Sequence, residues 1–110
     1  MKPPKESIQQ RIAAVAASML AGGTGLREGC REIVKLMARL PEPDNRDSDL
    51  LGILAVDSEL EDVPMGAVRE RWAPEALAER DRAAEEYLAL ERENIFRACQ
   101  ALIAKWGPAA

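Results

Sequence analysis

The chain has no histidine, only two cysteines (Cys30 and Cys99), and few aromatic residues: two Trp, one Tyr and one Phe. Without an imidazole, neither a Ser–His or Cys–His couple nor a His-bearing zinc site can be assembled. The two cysteines lie far apart in sequence with no CxxC pairing, which argues against a structural metal or a dithiol redox motif. Both are expected to be buried, reduced packing residues. Few aromatics beside abundant Ala, Leu, Glu and Arg is the vocabulary of helices and not of strands.

Long apolar runs are missing too. Nothing approaches the roughly 20 residues of a spanning helix, and Met1–Lys5 lacks the apolar core of a signal peptide, so a cytoplasmic protein with no membrane partner is expected. Nor is there an excess of Lys and Arg. A net charge of −4 argues against a nucleic-acid partner, because that binding relies on counterion release to clustered cations.

What is present fits a single domain spanning 1–110. A length of 110 residues with 47% hydrophobic and 31% charged side chains is enough to bury a core without metals or disulfides. Ser7 and Gln10 read as a capping box opening a first helix, whose face is Ile8, Ile12, Val15 and Met19 and whose stop is Gly22-Gly23. Thr24 can cap a second helix carrying Leu26, Cys30, Ile33, Val34, Met37 and Leu40, which ends at Pro41 and Pro43. Joined by a very short turn, the two predict an antiparallel hairpin.

A polar connection from Glu42 to Asp49 then leads to the apolar run from Leu50 to Val56. Its periodicity is ambiguous, but no second strand candidate exists to pair with it, so a short helix capped by Ser48 is expected. An irregular acidic loop over Asp57–Asp62 and a Val63-Pro64-Met65-Gly66 turn follow. Pro74 at a first helical position, with Glu75 beside it and Trp72 placed to staple onto Leu77, marks the last helix start. Unbroken to Trp106, that helix would be ~50 Å long at ~1.5 Å per residue, against a radius of gyration of about 13 Å for a domain of this size. A break or bend at Glu91–Asn94 is therefore expected, the other possibility being a projecting helix that a second subunit covers. The fold class predicted is all-α: a helical bundle of hairpin, short helix and long or broken C-terminal helix.

Three motifs fail on their chemistry. Gly22–Gly29 has no Lys-Ser/Thr pair for a phosphate loop and follows a helix. Asp44, Asp47 and Asp49 suggest a calcium loop, but Leu51 stands where an oxygen ligand is required. Ser58 has no base to activate it. No catalytic residue, metal site or cofactor is predicted.

Charge is more informative. Residues 1–40 hold seven Lys or Arg against three acids, and residues 41–65 hold eight acids against Arg46 alone. Arg27, Arg31, Lys35 and Arg39 recur every four residues as a basic ridge. Two outcomes are open: the acidic middle folds against this ridge, or it is presented to a charged partner. The second places a partner-binding surface on Asp57, Glu59, Glu61 and Asp62, with Met65 or Trp72 as apolar anchor. The partner would be a protein with a basic surface. The alternative role is a self-assembling structural protein, a homodimer seamed by the C-terminal helix.

The combination of Glu28-Gly29-Cys30-Arg31, the block from Val56 to Arg69 containing Asp57-Ser58-Glu59 and Pro64-Met65-Gly66, and Trp72 followed by Ala76-Leu77 resembles a family of small bacterial proteins of unknown function. That family's pattern runs EGC, DSE, LP and G, then W and AL; this chain carries Val63 where the pattern has Leu. By size and acidity such proteins resemble the immunity proteins that neutralise bacterial toxins, which implies a role in binding another protein.

Overall fold

The computed structural model describes residues 4–108, and among them every regular element is helical. Helices α1 (Lys5–Ala21), α2 (Leu26–Met37), α3 (Ser48–Glu59) and α4 (Pro74–Trp106) are joined by turns that include 3₁₀ segments at Asp44–Arg46 and Gly66–Arg71. Each helix packs on the next, and α4 closes the ring against α1. The result is the expected helical bundle.

The α1–α2 turn is set by Gly22, whose φ of 83° is left-handed. The amides of Gly22 and Gly23 donate to the carbonyls of Met19 and Ser18, at 3.2 and 2.9 Å, satisfying groups that the helix end leaves open. Gly29 lets the two helices close up: a Cβ there would sit 2.3 Å from Met19 Sδ. Met19 thereby reaches Cys99 on α4, sulfur to sulfur at 3.9 Å.

The first three helix starts differ from expectation in which residue occupies the cap. α1 begins at Lys5 with Pro4 in the cap position, so Ser7 lies inside the first turn and caps nothing. Gly25 precedes α2, while the Thr24 hydroxyl pairs with Ser18 across the turn at 2.7 Å. For α3 the cap is Asp47 and not Ser48: its Oδ1 accepts from the amides of Asp49 and Leu50 at 2.9 and 3.2 Å. The cap lies before the expected residue in α1 and α3 and one residue after it in α2.

Two further expectations fail. The helix holding Leu50–Val56 continues to Glu59, so the first half of the acidic stretch is helical and not a loop. And α4 is unbroken for 33 residues. Arg92, Glu93 and Asn94 face outward, whereas Leu88, Glu91, Ile95, Cys99 and Leu102 keep facing the bundle at helical spacing, so the polar residues interrupt no packing. The length is accommodated by shape, since the molecule measures 46 × 32 × 23 Å with a radius of gyration of 14.8 Å. The helix start is covered by the chain itself. Arg69 grips Asp81 through two hydrogen bonds of 3.0 and 2.7 Å and also donates to the Pro64 carbonyl, and Arg80 pairs with Asp62.

Ile12, Ile33, Leu50, Ile53, Ile95 and Leu102 form the centre of the core, none more than 1% exposed. Cys30 and Cys99 are buried beside them as expected. Leu36, absent from the predicted stripe, is buried as well. Truncating Ile33 or Leu102 to Ala should lower the unfolding free energy by ~2–4 kcal/mol, and Leu88→Ala, at a half-buried position, by less; urea titration gives the comparison.

Asp47 generates a second prediction. Burial alone would raise its pKa, but the hydrogen bonds from Lys105 and from the Leu50 and Asp49 amides outweigh that and hold it below the ordinary range. A carboxylate depressed in the folded state stabilises it fully above the unfolded pKa of about 4, and that contribution is lost as pH falls through the folded value. Asp47→Ala should therefore cost ~1 kcal/mol at neutral pH and show a shallower loss of stability than wild type below about pH 4, read from melting temperatures across an acid series.

Candidate functional site

The six residues expected to meet a partner separate into different environments. Asp57 is only 8% exposed, and its Oδ1 accepts from Arg31 Nε at 2.9 Å. One turn earlier on α2, Arg27 Nη2 donates to the Val63 carbonyl at 2.7 Å. The acidic segment thus clasps half of the basic ridge. Asp57 is a brace, and its expected place on a recognition surface is corrected: helical spacing turns it towards α2 with Leu50, Ile53 and Leu60.

Asp62 is exposed but paired with Arg80 of α4. Glu59 and Glu61 are exposed, and among the described residues neither forms an ion pair. Trp72 is half-buried with the Arg80 guanidinium 5.9 Å from its ring centroid, a cation–π contact that keeps the indole against α4. Met65 is half-buried at the edge of a cleft.

That cleft, about 420 Å³, lies where α2 begins, beside the Val63–Arg69 segment and over α4. Pro64, Met65, Ala84 and Leu88 supply its apolar surface, and Glu28 and Glu85 are its carboxylates not already held by Arg69. Arg27 also lines it, with Nη1 buried and without a hydrogen-bond partner. Burial, and then the neighbouring Arg31, lower the Arg27 pKa, while Asp57 in the last turn of α3 and the Val63 carbonyl beyond it bind the two cations.

A second groove, about 340 Å³, runs between α3 and α4. Ile53, Val56 and Ile95 form its floor, and the small residues Gly52, Ala55 and Ala98 its walls. Tyr87, Glu91 and Asn94 line the α4 side. Burial raises the Tyr87 pKa, and Glu91 and Glu59 raise it further, which places both carboxylates near its ring. The charge-free run from Leu50 to Val56 was the signal for this groove, read in sequence only as an element of the fold. A mid-helix Gly disfavours the helix by ~1 kcal/mol relative to Ala, and a Cβ at Gly52 would meet nothing within 4 Å.

Among the described residues no group of three or more His, Cys, Asp or Glu is placed to hold a metal ion. No described helix is long and apolar enough to cross a membrane. The outward face of α4 bears Glu79, Arg82, Glu86, Glu93 and Arg97, with Leu90, 81% exposed, as its large apolar side chain. Comparison with protein-family models, with curated proteins and with solved structures returned no match.

The division between brace and surface is measurable. Asp57→Asn leaves Arg31 against an uncharged partner and should destabilise by ~1–3 kcal/mol. Glu59→Gln with Glu61→Gln should change stability by no more than ~0.5 kcal/mol. Chemical denaturation of the two variants beside wild type decides it; equal effects would mean that the clasp is not structural.

Proposed function

We propose that the protein is a non-enzymatic, cytoplasmic binding module that captures another protein with a basic surface. The carrying observation is the cleft beside Met65, where an apolar floor meets uncommitted carboxylates. Lys and Arg side chains suit such a site, because the aliphatic stem can lie on Met65 and Leu88 while the charged head meets Glu28 or Glu85. Glu59 and Glu61, exposed at the same end of the bundle, extend the negative field, which speeds encounter with cationic partners. The immunity proteins that the chain resembles in size and acidity work by capture of this kind.

The two thiols are not poised as nucleophiles. Burial pushes Cys30 up to about 12 and Cys99 up to about 11, so neither offers a thiolate at neutral pH. Reduced, buried thiols also suit a cytoplasmic setting.

Immobilised protein exposed to extract of the native host should retain a partner that elutes as salt rises. Met65→Asp should abolish retention, and Glu28→Gln with Glu85→Gln should weaken it while leaving melting within ~1 kcal/mol of wild type. A companion pair, Glu59→Gln with Glu61→Gln, reports how far the second flank contributes. If the same partner is retained with unchanged salt dependence by all three variants, the cleft is not the binding site.

A further inference from the structure

We infer that the groove between α3 and α4 is a self-association surface, which receives Leu51 of a second copy of this chain, with the two α3 helices facing one another and parallel. This face is separate from the Met65 cleft. Helices that are apolar all round are normally enclosed, yet α3 from Leu50 to Val56 is enclosed on one side only: Leu50, Ile53 and Val56 are buried, whereas Leu51 is 44% exposed and Gly52 and Ala55 face outward.

Gly52 has no role inside the subunit. Its φ is not left-handed and its missing Cβ would meet open space. Gly29 provides the contrast, since a side chain there would collide with Met19. A glycine that weakens its own helix and accommodates nothing within the chain is explained by a backbone approaching from outside, because interhelix distance is set by the side chains at the contact.

The occupant follows from complementarity of the patch with itself. A two-fold interface needs knob and hole on one surface. Leu51 is the knob and the groove over Gly52, Ala55 and Ala98 the hole. Charge selects the orientation. The α4 flank holds Glu91 and Glu59 about Tyr87. The α2 flank holds exposed Lys35, one turn beyond the Arg31 that faces α3. A two-fold axis parallel to α3 brings the α2 flank of one copy over the α4 flank of the other, Lys35 against Glu91. An axis across α3 stacks like flank on like, which costs affinity.

Sedimentation velocity of the full chain over rising concentration tests this, with circular dichroism confirming that each variant is folded. Wild type should pass from monomer to dimer. Leu51→Asp should weaken the dimer about tenfold or more. Gly52→Ala should raise the melting temperature at low concentration yet weaken the dimer several-fold, opposite signs that a purely structural glycine would not give. Lys35→Glu and Glu91→Lys should each weaken it, and the two together restore it. Met65→Asp should leave it unchanged, which separates this result from the fate of the binding cleft. A chain that stays monomeric to millimolar concentration overturns the proposal and leaves the groove to a different protein. A dimer indifferent to Leu51→Asp and Gly52→Ala overturns it equally, and one that the charge exchange fails to restore overturns the parallel arrangement.

Discussion

The bundle depends on how the aspartates around α3 are spent. Asp44, Asp47, Asp49, Asp57 and Asp62 each face a cation from a different helix: Lys5 of α1, Lys105 of α4 for Asp47 and Asp49, Arg31 of α2 and Arg80 of α4. Three of these contacts gather at the start of α3 and two at its end. Exposed pairs contribute only ~0.2–1 kcal/mol each, so their effect is mainly to fix which helix ends meet. Asp57, the most buried of them, adds stability as well, because an ion pair withdrawn from water cannot lose one member cheaply.

The contrasting charges of the first forty residues and the middle segment are therefore settled largely within the subunit. The first two cations of the ridge are held by the Val63 carbonyl and by Asp57 of α3, and Lys35 and Arg39 remain exposed beyond them. Among the acids the division follows side-chain length. Asp, with one methylene, loses less rotamer freedom when held than Glu does, and the middle segment places Asp in the pairs between helices while Glu59 and Glu61 stay unpaired. Asp57 and Asp62 are committed to the fold, whereas Met65, Glu28 and Glu85 line the cleft without an ion pair among the described residues.

Much of the architecture was legible in the residues. Glycine pairs, prolines and apolar spacing located the hairpin, α3 and the start of α4, because these signals act within a few residues of where they stand. The caps were less legible: Ser7, Thr24 and Ser48 have suitable side chains, and which residue caps depends on backbone angles that neighbours determine. The continuity of α4 through Glu91–Asn94 rests on Leu88, Ile95, Cys99 and Leu102 packing against α1 and α3, contacts with residues distant in sequence. Asp57 illustrates the same limit. Its acidity was visible, but its partner lies 26 residues away, and only the crossing of α2 and α3 distinguishes a brace from a free carboxylate.

The charge-free run of α3 from Leu50 to Val56 now has a physical context. Charged side chains along its length would have no room on the α2 or α4 side, where Val34, Leu54, Tyr87 and Ile95 pack, so the ionic contacts are moved to its two ends. That argument explains Leu50, Ile53 and Val56. It does not extend to the outward positions, where Ser or Glu would be solvated at no cost to packing and would favour the helix over Gly. Leu51, Gly52 and Ala55 therefore carry a constraint that the subunit alone does not impose. Gly52 and Ala55 border the groove whose opposite wall is Tyr87, Glu91 and Ala98, Leu51 is exposed next to Gly52 in sequence, and their coincidence on the outward side of one helix is what separates that surface from an ordinary scatter of exposed apolar side chains.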